Sequence, residues 1–199
     1  TRSRSTLREN VAETRALKLK ALRLQALIDQ APFEPPAEFA EAVPEIVDEE
    51  RELYESSLER LALQQQIARE QLTQRREELS EVTARERQMA RSLELSQREL
   101  SVTRPMVASG AVSEVEILRL EREVNQLSGE RDQARAQMQR IRAAITEAER
   151  KVDEVTVEFL NLAREDLTET LSRISALEET RAGLSDRVAQ TDVRSPVAG

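Results

Sequence analysis

Residues 100–117 read LSVTRPMVASGAVSEVEI. Pro105 cannot continue a helix, and Gly110 suits the left-handed residue that closes one. Ser113 followed by Glu116 reads as a capping box that starts the next helix, with Val112 and Ile117 as its hydrophobic staple. In order, these are the signals of one helix stopping and another beginning. The turn, residues 109–112, is short enough to send the chain back antiparallel to itself.

Heptad series on both sides of the turn support that fold-back. Before it run Leu58, Gln65, Leu72, Leu79, Glu86, Leu93, Leu100, Val107 and Leu61, Ala68, Arg75, Val82, Met89, Ser96, Thr103. After it run Ser113, Leu120, Leu127, Ala134, Ile141, Ala148, Val155, Leu162 and Ile117, Val124, Arg131, Met138, Ile145, Val152, Phe159. Of these 30 positions 23 are apolar, against the 12 or so that a 39% apolar chain would place there by chance. Pairing residues whose numbers sum to 220 sets Leu58 on Leu162, Leu61 on Phe159, Leu79 on Ile141 and Leu100 on Leu120. Small meets large at Ala68–Val152 and Leu72–Ala148, as filled layers require. Glu86 and Arg131 fall in neighbouring layers and are expected to pair, since an unpaired charge there is costly. The expected hairpin is roughly 75 Å tall at 1.5 Å per residue.

Past Leu162 the stripe changes phase, continuing as Leu167, Leu171, Ile174, Leu177, Leu184 and Val188, a four-residue stutter. A changed seam implies a changed partner. Leu7, Val11, Ala21, Leu24 and Ile28 of the first helix fit it in antiparallel register, so that helix is expected on the base of the last one. Its further Leu17, Leu19, Leu22 and Leu27 make a stripe too wide for one neighbour. Ile46, Leu53 and Tyr54 are expected to cover the other side. The organisation is thus a first helix within 1–31, a proline-rich linker 32–44, a second helix 45–108, the turn 109–112 and a third helix 113–191. Residues 192–199 follow. The fold class is all-α, a long antiparallel coiled-coil hairpin with an added N-terminal helix.

Composition excludes much else. The chain has 199 residues, net charge −8, 34% charged and 2% aromatic side chains, and no Cys, His or Trp. That mix reads as long helices rather than a wide globular core. It offers no thiol nucleophile, imidazole base or usual zinc ligand set, so neither catalysis nor a metal or other cofactor is expected. Basic residues interleaved with acids make a poor nucleic-acid binder. No apolar run nears 18 residues and no signal peptide is visible, so this stretch is expected to make no membrane contact. Asp48, Glu49, Glu50 and Glu52 suit the positive end of a helix without any ion. The chain reads as a piece of a longer one.

The turn carries more apolar groups than a helix connection in water needs. Ser113 is explained by capping, worth about 1 kcal/mol, and Arg104 by a solvated cation near a helix end. Pro105, Met106, Val107, Ala111 and Val112 are together more apolar groups than folding of the turn needs, and they read as a contact surface.

The stretch RPMVASGAVSEVEILRLEREV, residues 104–124, resembles the hairpin tip of periplasmic adaptors of the hemolysin secretion protein D family, the membrane fusion proteins of type I secretion. That family carries an Arg, a Leu and a Ser at the tip, where it meets an outer-membrane channel of the TolC type. The resemblance assigns the Arg and Ser roles to Arg104 and Ser113, with Val107 where the family usually has Leu. Val193-Arg194-Ser195-Pro196-Val197-Ala198-Gly199 resembles the strand that begins the second half of the family's lipoyl-like β domain, between whose halves the hairpin is inserted. The proline linker before Glu49-Glu50-Arg51-Glu52-Leu53-Tyr54 is similar to the type I subgroup. The resemblance implies a protein anchored in the inner membrane of a Gram-negative bacterium. It implies a hexamer around an ABC transporter that bridges the periplasm, with each tip on the channel. The alternative is an antiparallel signalling or cytoskeletal spacer, which continuing heptads beyond the two ends would favour.

Overall fold

Prolines set the limits of the helices, because a proline inside one removes a donor and clashes with the preceding turn. The structure, a computed structural model, describes residues 2–191, with side chains from 5 to 185. Helix α1 (Arg2–Asp29) stops before Pro32, and α2 (Ala37–Ala42) begins after Pro36. Helix α3 (Pro44–Thr103) starts on its own proline, at the position where the missing N–H costs nothing. A 3-10 turn (Arg104–Val107) follows, then α4 (Glu114–Thr191), 78 residues long. The segment 32–44 is therefore more than a linker: Ala37, Glu38, Ala40 and Glu41 are helix formers, and they wind one short helix between prolines. The C-terminal strand expected over 192–199 lies outside the described residues, as does the side chain of Val188. The chain divides into two compact units, Thr1–Gln65 with Glu154–Gly199, and Gln66–Asp153.

In the first unit α1 has two buried faces, as its wide stripe requires. One lies on α4 in antiparallel order. Asn10 donates from Nδ2 to the Leu177 carbonyl at 3.1 Å, Arg173 pairs with Glu13 at 2.6 Å, and Lys20 with Asp166 at 2.7 Å. These ion pairs are exposed and each contributes little; burial of Leu24 and Leu27 does more. The other face centres on Leu19, which is wholly buried with Phe33 and Val47 and ringed by Ala26, Phe39, Val43, Ile46 and Tyr54. Three of the four aromatic side chains of the chain are in this one cluster. Phe33 and Tyr54 lie 5.9 Å apart, and Tyr54 donates its hydroxyl to the Ala31 carbonyl at 2.7 Å. Gln30, with φ 54°, ends α1 in a Schellman closure in which Ala31 N–H reaches the Ala26 carbonyl at 3.0 Å. Arg23 and Glu50 form an ion pair with side chains only 10% and 12% exposed.

The phase change on α4 differs in detail from expectation. Leu58, Leu162 and Leu171 are exposed, and so are Leu53 and Leu22. Ser57, Ala163 and Thr170 are buried in their place, while Ile174 is buried as expected. Buried or half-buried positions of α4 here include Val155, Phe159, Ala163, Asp166, Thr170, Ile174 and Leu177, spaced 4, 4, 3, 4, 4, 3, with the Asp166 carboxylate turned outward to Lys20. This is an eleven-residue repeat, which keeps an interior stripe straighter than heptads do. Ser57 of α3 and Ala163 of α4 lie with Leu24 and Leu27 of α1 around one cavity where these three helices meet.

The second unit keeps the heptads. Val82, Ala134 and Ile141 form its buried cluster with Leu79, Met138 and Ile145 against them. Ala68, Leu93 and Leu120 are buried farther along the seam. The expected Glu86–Arg131 pair is not made. Arg135, one turn on and at the flank, gives Glu86 its partner at 2.8 Å. Arg131 occupies a seam position, so its head turns to neighbouring Asp132 at 3.2 Å while its Nε is buried with no partner.

Removing Arg131 and removing the partner of Arg23 should have opposite effects on stability. Arg131→Met removes an orphaned donor and completes an apolar layer, and should stabilise by about 1–2 kcal/mol. Glu50→Ala strands the Arg23 charge and should cost about 3 kcal/mol. Urea unfolding followed by circular dichroism checks both; a lower midpoint for Arg131→Met would refute the first.

Candidate functional site

The tip is built by backbone signals. At Arg104-Pro105 the chain tightens from α3 into the 3-10 turn, and Gly110 takes the left-handed φ of 76°. Gly110 N–H then bonds the Val107 carbonyl at 3.0 Å and Ala111 N–H the Met106 carbonyl at 3.2 Å, a Schellman closure. Ser109 also donates its hydroxyl to the Met106 carbonyl, at 2.9 Å. A Cβ on Gly110 would meet nothing within 4 Å, so only the backbone conformation calls for glycine there.

Helix α4 opens on Ser113, whose hydroxyl accepts from Glu116 N–H at 3.4 Å. The reciprocal half of the expected capping box is replaced. The Glu116 carboxylate is turned to Arg119, which holds it with Nη2 at 2.7 Å and with Nε at 3.1 Å from both oxygens. A guanidinium with five donors competes better for a carboxylate than one backbone N–H. The Arg119 hydrogen bond, opposed by desolvation and aided by the Arg119 charge, holds the Glu116 carboxyl below its ordinary value. Arg119 is raised in turn by its bond to Glu116, then by the charges of Glu116, Glu123 and Glu99.

Arg104 is not a free cation: its Nη2 reaches Glu121 of α4 at 2.6 Å and ties the two helices below the turn. Val107 and Val112 are half-buried, while Arg104, Pro105, Met106, Ala111 and Ser113 are exposed. The tip thus offers the Arg104–Glu121 and Glu116–Arg119 ion pairs, the hydroxyls of Ser109 and Ser113, and a small apolar surface. This arrangement suits docking on a partner helix rather than bond chemistry. Sequence reasoning missed four apolar side chains just below it. Leu95, Val102, Val115 and Leu118 are 56–71% exposed. Their signal was available: each is an apolar residue at a heptad position outside the seam.

The family described as AprE, long alpha-helical hairpin, matches residues 3–187. Among solved structures, the soluble domain of LipC, a membrane fusion protein of a type I secretion system, is similar to this chain at 15% identity. Its TM-score is 0.82, and the match covers 100% of this chain and 96% of that one. At that identity it shows a shared fold. A search of curated proteins gave no match. No helix among the described residues is long and apolar enough to cross a membrane.

Two consequences of the tip geometry can be measured. Gly110→Ala should cost about 1 kcal/mol through the left-handed backbone alone, read as a lower thermal midpoint; an unchanged midpoint would show the turn relaxing to another form. The Glu116 interaction has the sign of a depressed carboxyl: it is present above the unfolded value and lost as pH falls through the folded one. In a carboxyl carbon NMR titration, Arg119→Ala should therefore move the Glu116 midpoint upward. No movement would mean that Arg119 does not hold it in solution.

Proposed function

Because the chain belongs to the AprE long alpha-helical hairpin family, we propose that it is the hairpin of a type I secretion adaptor. It joins an inner-membrane ABC transporter to an outer-membrane channel of the TolC type. In this reading the whole protein is anchored in the inner membrane, works in the periplasm as a homo-oligomer such as a hexamer, and presents one tip per copy to the channel. The observation that carries it is the exposed apolar surface of Pro105, Met106 and Ala111, set on a turn closed by backbone bonds. A turn that only connected two helices would lose nothing by being polar there. The fold shared with the soluble domain of a type I membrane fusion protein supports the same reading.

The tip residues divide by task. Met106, Pro105 and Ala111 supply apolar contact, with Val107 and Val112 shaping the surface from beneath. Arg104 offers its remaining donors to a carboxylate or carbonyl of the channel while Glu121 keeps its head in place. The Ser113 hydroxyl accepts within the cap and has its proton free to donate outward. Catalysis has no part in this function.

A photoreactive residue at position 111 of the full-length protein, in cells exporting cargo, should capture an outer-membrane channel. Arg104→Ala should lower export at least several-fold, the loss of about 2 kcal/mol typical of an arginine anchor, with helicity and melting unchanged. Capture of a cytoplasmic protein at 111 would reject the adaptor reading.

A further inference from the structure

The cavity where α1, α3 and α4 meet lies wholly within the unit Thr1–Gln65 with Glu154–Gly199. Its volume is about 410 Å³, inside the range of roughly 300–1,000 Å³ usual for small-molecule sites. Helix α1 lines it with Leu24 and Leu27, α3 with Arg60, and α4 with Glu158, Phe159 and Leu162.

The cavity sits where two packing schemes meet. Contacts of α1 with α4 join Asn10 to Leu177, Glu13 to Arg173 and Lys20 to Asp166. Level residues therefore have numbers that sum to about 186, and Asp29, the last residue of α1, stands level with residue 157. Over the last two turns of α1 the eleven-residue stripe of α4 gives way to heptads, and a side chain that fits one repeat falls off the seam of the other. Leu162 is such a residue: it is 60% exposed beside buried Ala163, and it faces the cavity.

Charge narrows what the cavity can hold. Four charged side chains stand on its lining, and two are already matched, Arg23 by Glu50 and Asp166 by Lys20. Ser57 already donates its hydroxyl to the Leu53 carbonyl at 2.7 Å. Arg60 and Glu158 make no hydrogen bond or ion pair among the described residues, and neither does Gln64, one turn beyond Arg60 on α3. Arg60 and Glu158 belong to facing helices and are level to within two residues in the hairpin register. The lining thus combines an apolar surface with one unmatched cation on one helix and one unmatched anion on the other. An uncharged molecule would leave both charges unanswered. An anion would satisfy Arg60 but be repelled by Glu158, and a cation the reverse. A head carrying both charges answers both, and a chain attached to it covers the apolar lining.

We propose that this cavity binds a single-chain zwitterionic amphiphile. Its anionic group lies on Arg60 and Gln64, its cationic group on Glu158, and its chain along Leu27, Phe159 and Leu162. The site does not depend on what the tip meets.

Lauroyl lysophosphatidylethanolamine, below the concentration at which it aggregates, is titrated into the full chain and followed by methyl NMR. Saturable shifts are expected at Leu24, Leu27 and Leu162, with Leu79, Val82 and Ile141 of the unit Gln66–Asp153 unmoved. Arg60→Ala and Glu158→Ala should each weaken binding about tenfold or more, as loss of one close charge pair does, and Leu162→Glu should abolish it. All three side chains are exposed, so circular dichroism should show the helices intact. Lauric acid, dodecylamine and phosphoethanolamine test the parts separately, and each should bind much more weakly than the whole. Lauric acid or dodecylamine binding as tightly would reject the two-charge head, as would an alanine variant of unchanged affinity. Phosphoethanolamine binding as tightly would reject the role of the chain. Shifts that never saturate, or that reach Leu79 and Val82 equally, would reject the site.

Discussion

Helix α4 has to bury an apolar stripe along 78 residues, and no helix can do that on itself. Helices in proteins draw most of their stability from packing on a partner, so the other elements follow from where that stripe points. In the unit Gln66–Asp153 the stripe keeps heptads, and α3 answers it with Val82, Leu93 and Ala68. In the other unit it runs with an eleven-residue period, and α1 lies on it with Leu24, Leu27 and Asn10. The change of period accompanies the change of partner, and small residues such as Ala163 and Ser57 mark where three helices meet.

Polar groups then decide register where apolar packing alone would leave it loose. Asn10 is buried, donates to the Leu177 carbonyl and leaves its own carbonyl oxygen without a partner. Sliding α1 by one turn would lose its one bond and strand the whole amide, a cost that disfavours other alignments. Arg23 and Glu50 act similarly between α1 and α3, since either charge alone would be buried and unpaired. Arg131 is the counterexample, a seam cation with a buried nitrogen and no compensating bond. The structure offers no packing reason for it.

The all-α hairpin, its turn and its heptad seam were legible because each rests on local rules repeated many times. Leu79 with Ile141, and Leu19 with Ile46 and Tyr54, lie together as the periodicity suggested. What was not legible depends on a competitor. Leu162 fits the heptad as well as Ala163 fits the eleven-residue repeat, and only the presence of α1 decides between them. Glu86 could reach Arg131 or Arg135, and the choice follows from which guanidinium can keep its head in water. Glu116 could cap the helix or bind Arg119, and the stronger donor took it. The flanking Val102, Val115 and Leu118 were overlooked because attention to the seam treats every other position as solvated.

The two chain reversals use the same Schellman closure with different residues in the left-handed position, and the difference is physical. Gln30 adopts φ 54° at the end of α1, where a side chain in that conformation costs roughly 1 kcal/mol. Tyr54 bonds the next carbonyl and Phe33 packs beneath, so tertiary contacts hold the turn despite that cost. At the tip no aromatic cluster is present, and the turn is held by its own backbone bonds, the Ser109 and Ser113 hydroxyls and the Arg104–Glu121 pair. A glycine at 110 makes the closure free of that strain, so the turn keeps its shape without a core beneath it. A surface that stays exposed cannot also be held by burial, and here a backbone closure with a few polar side-chain bonds fixes its shape instead.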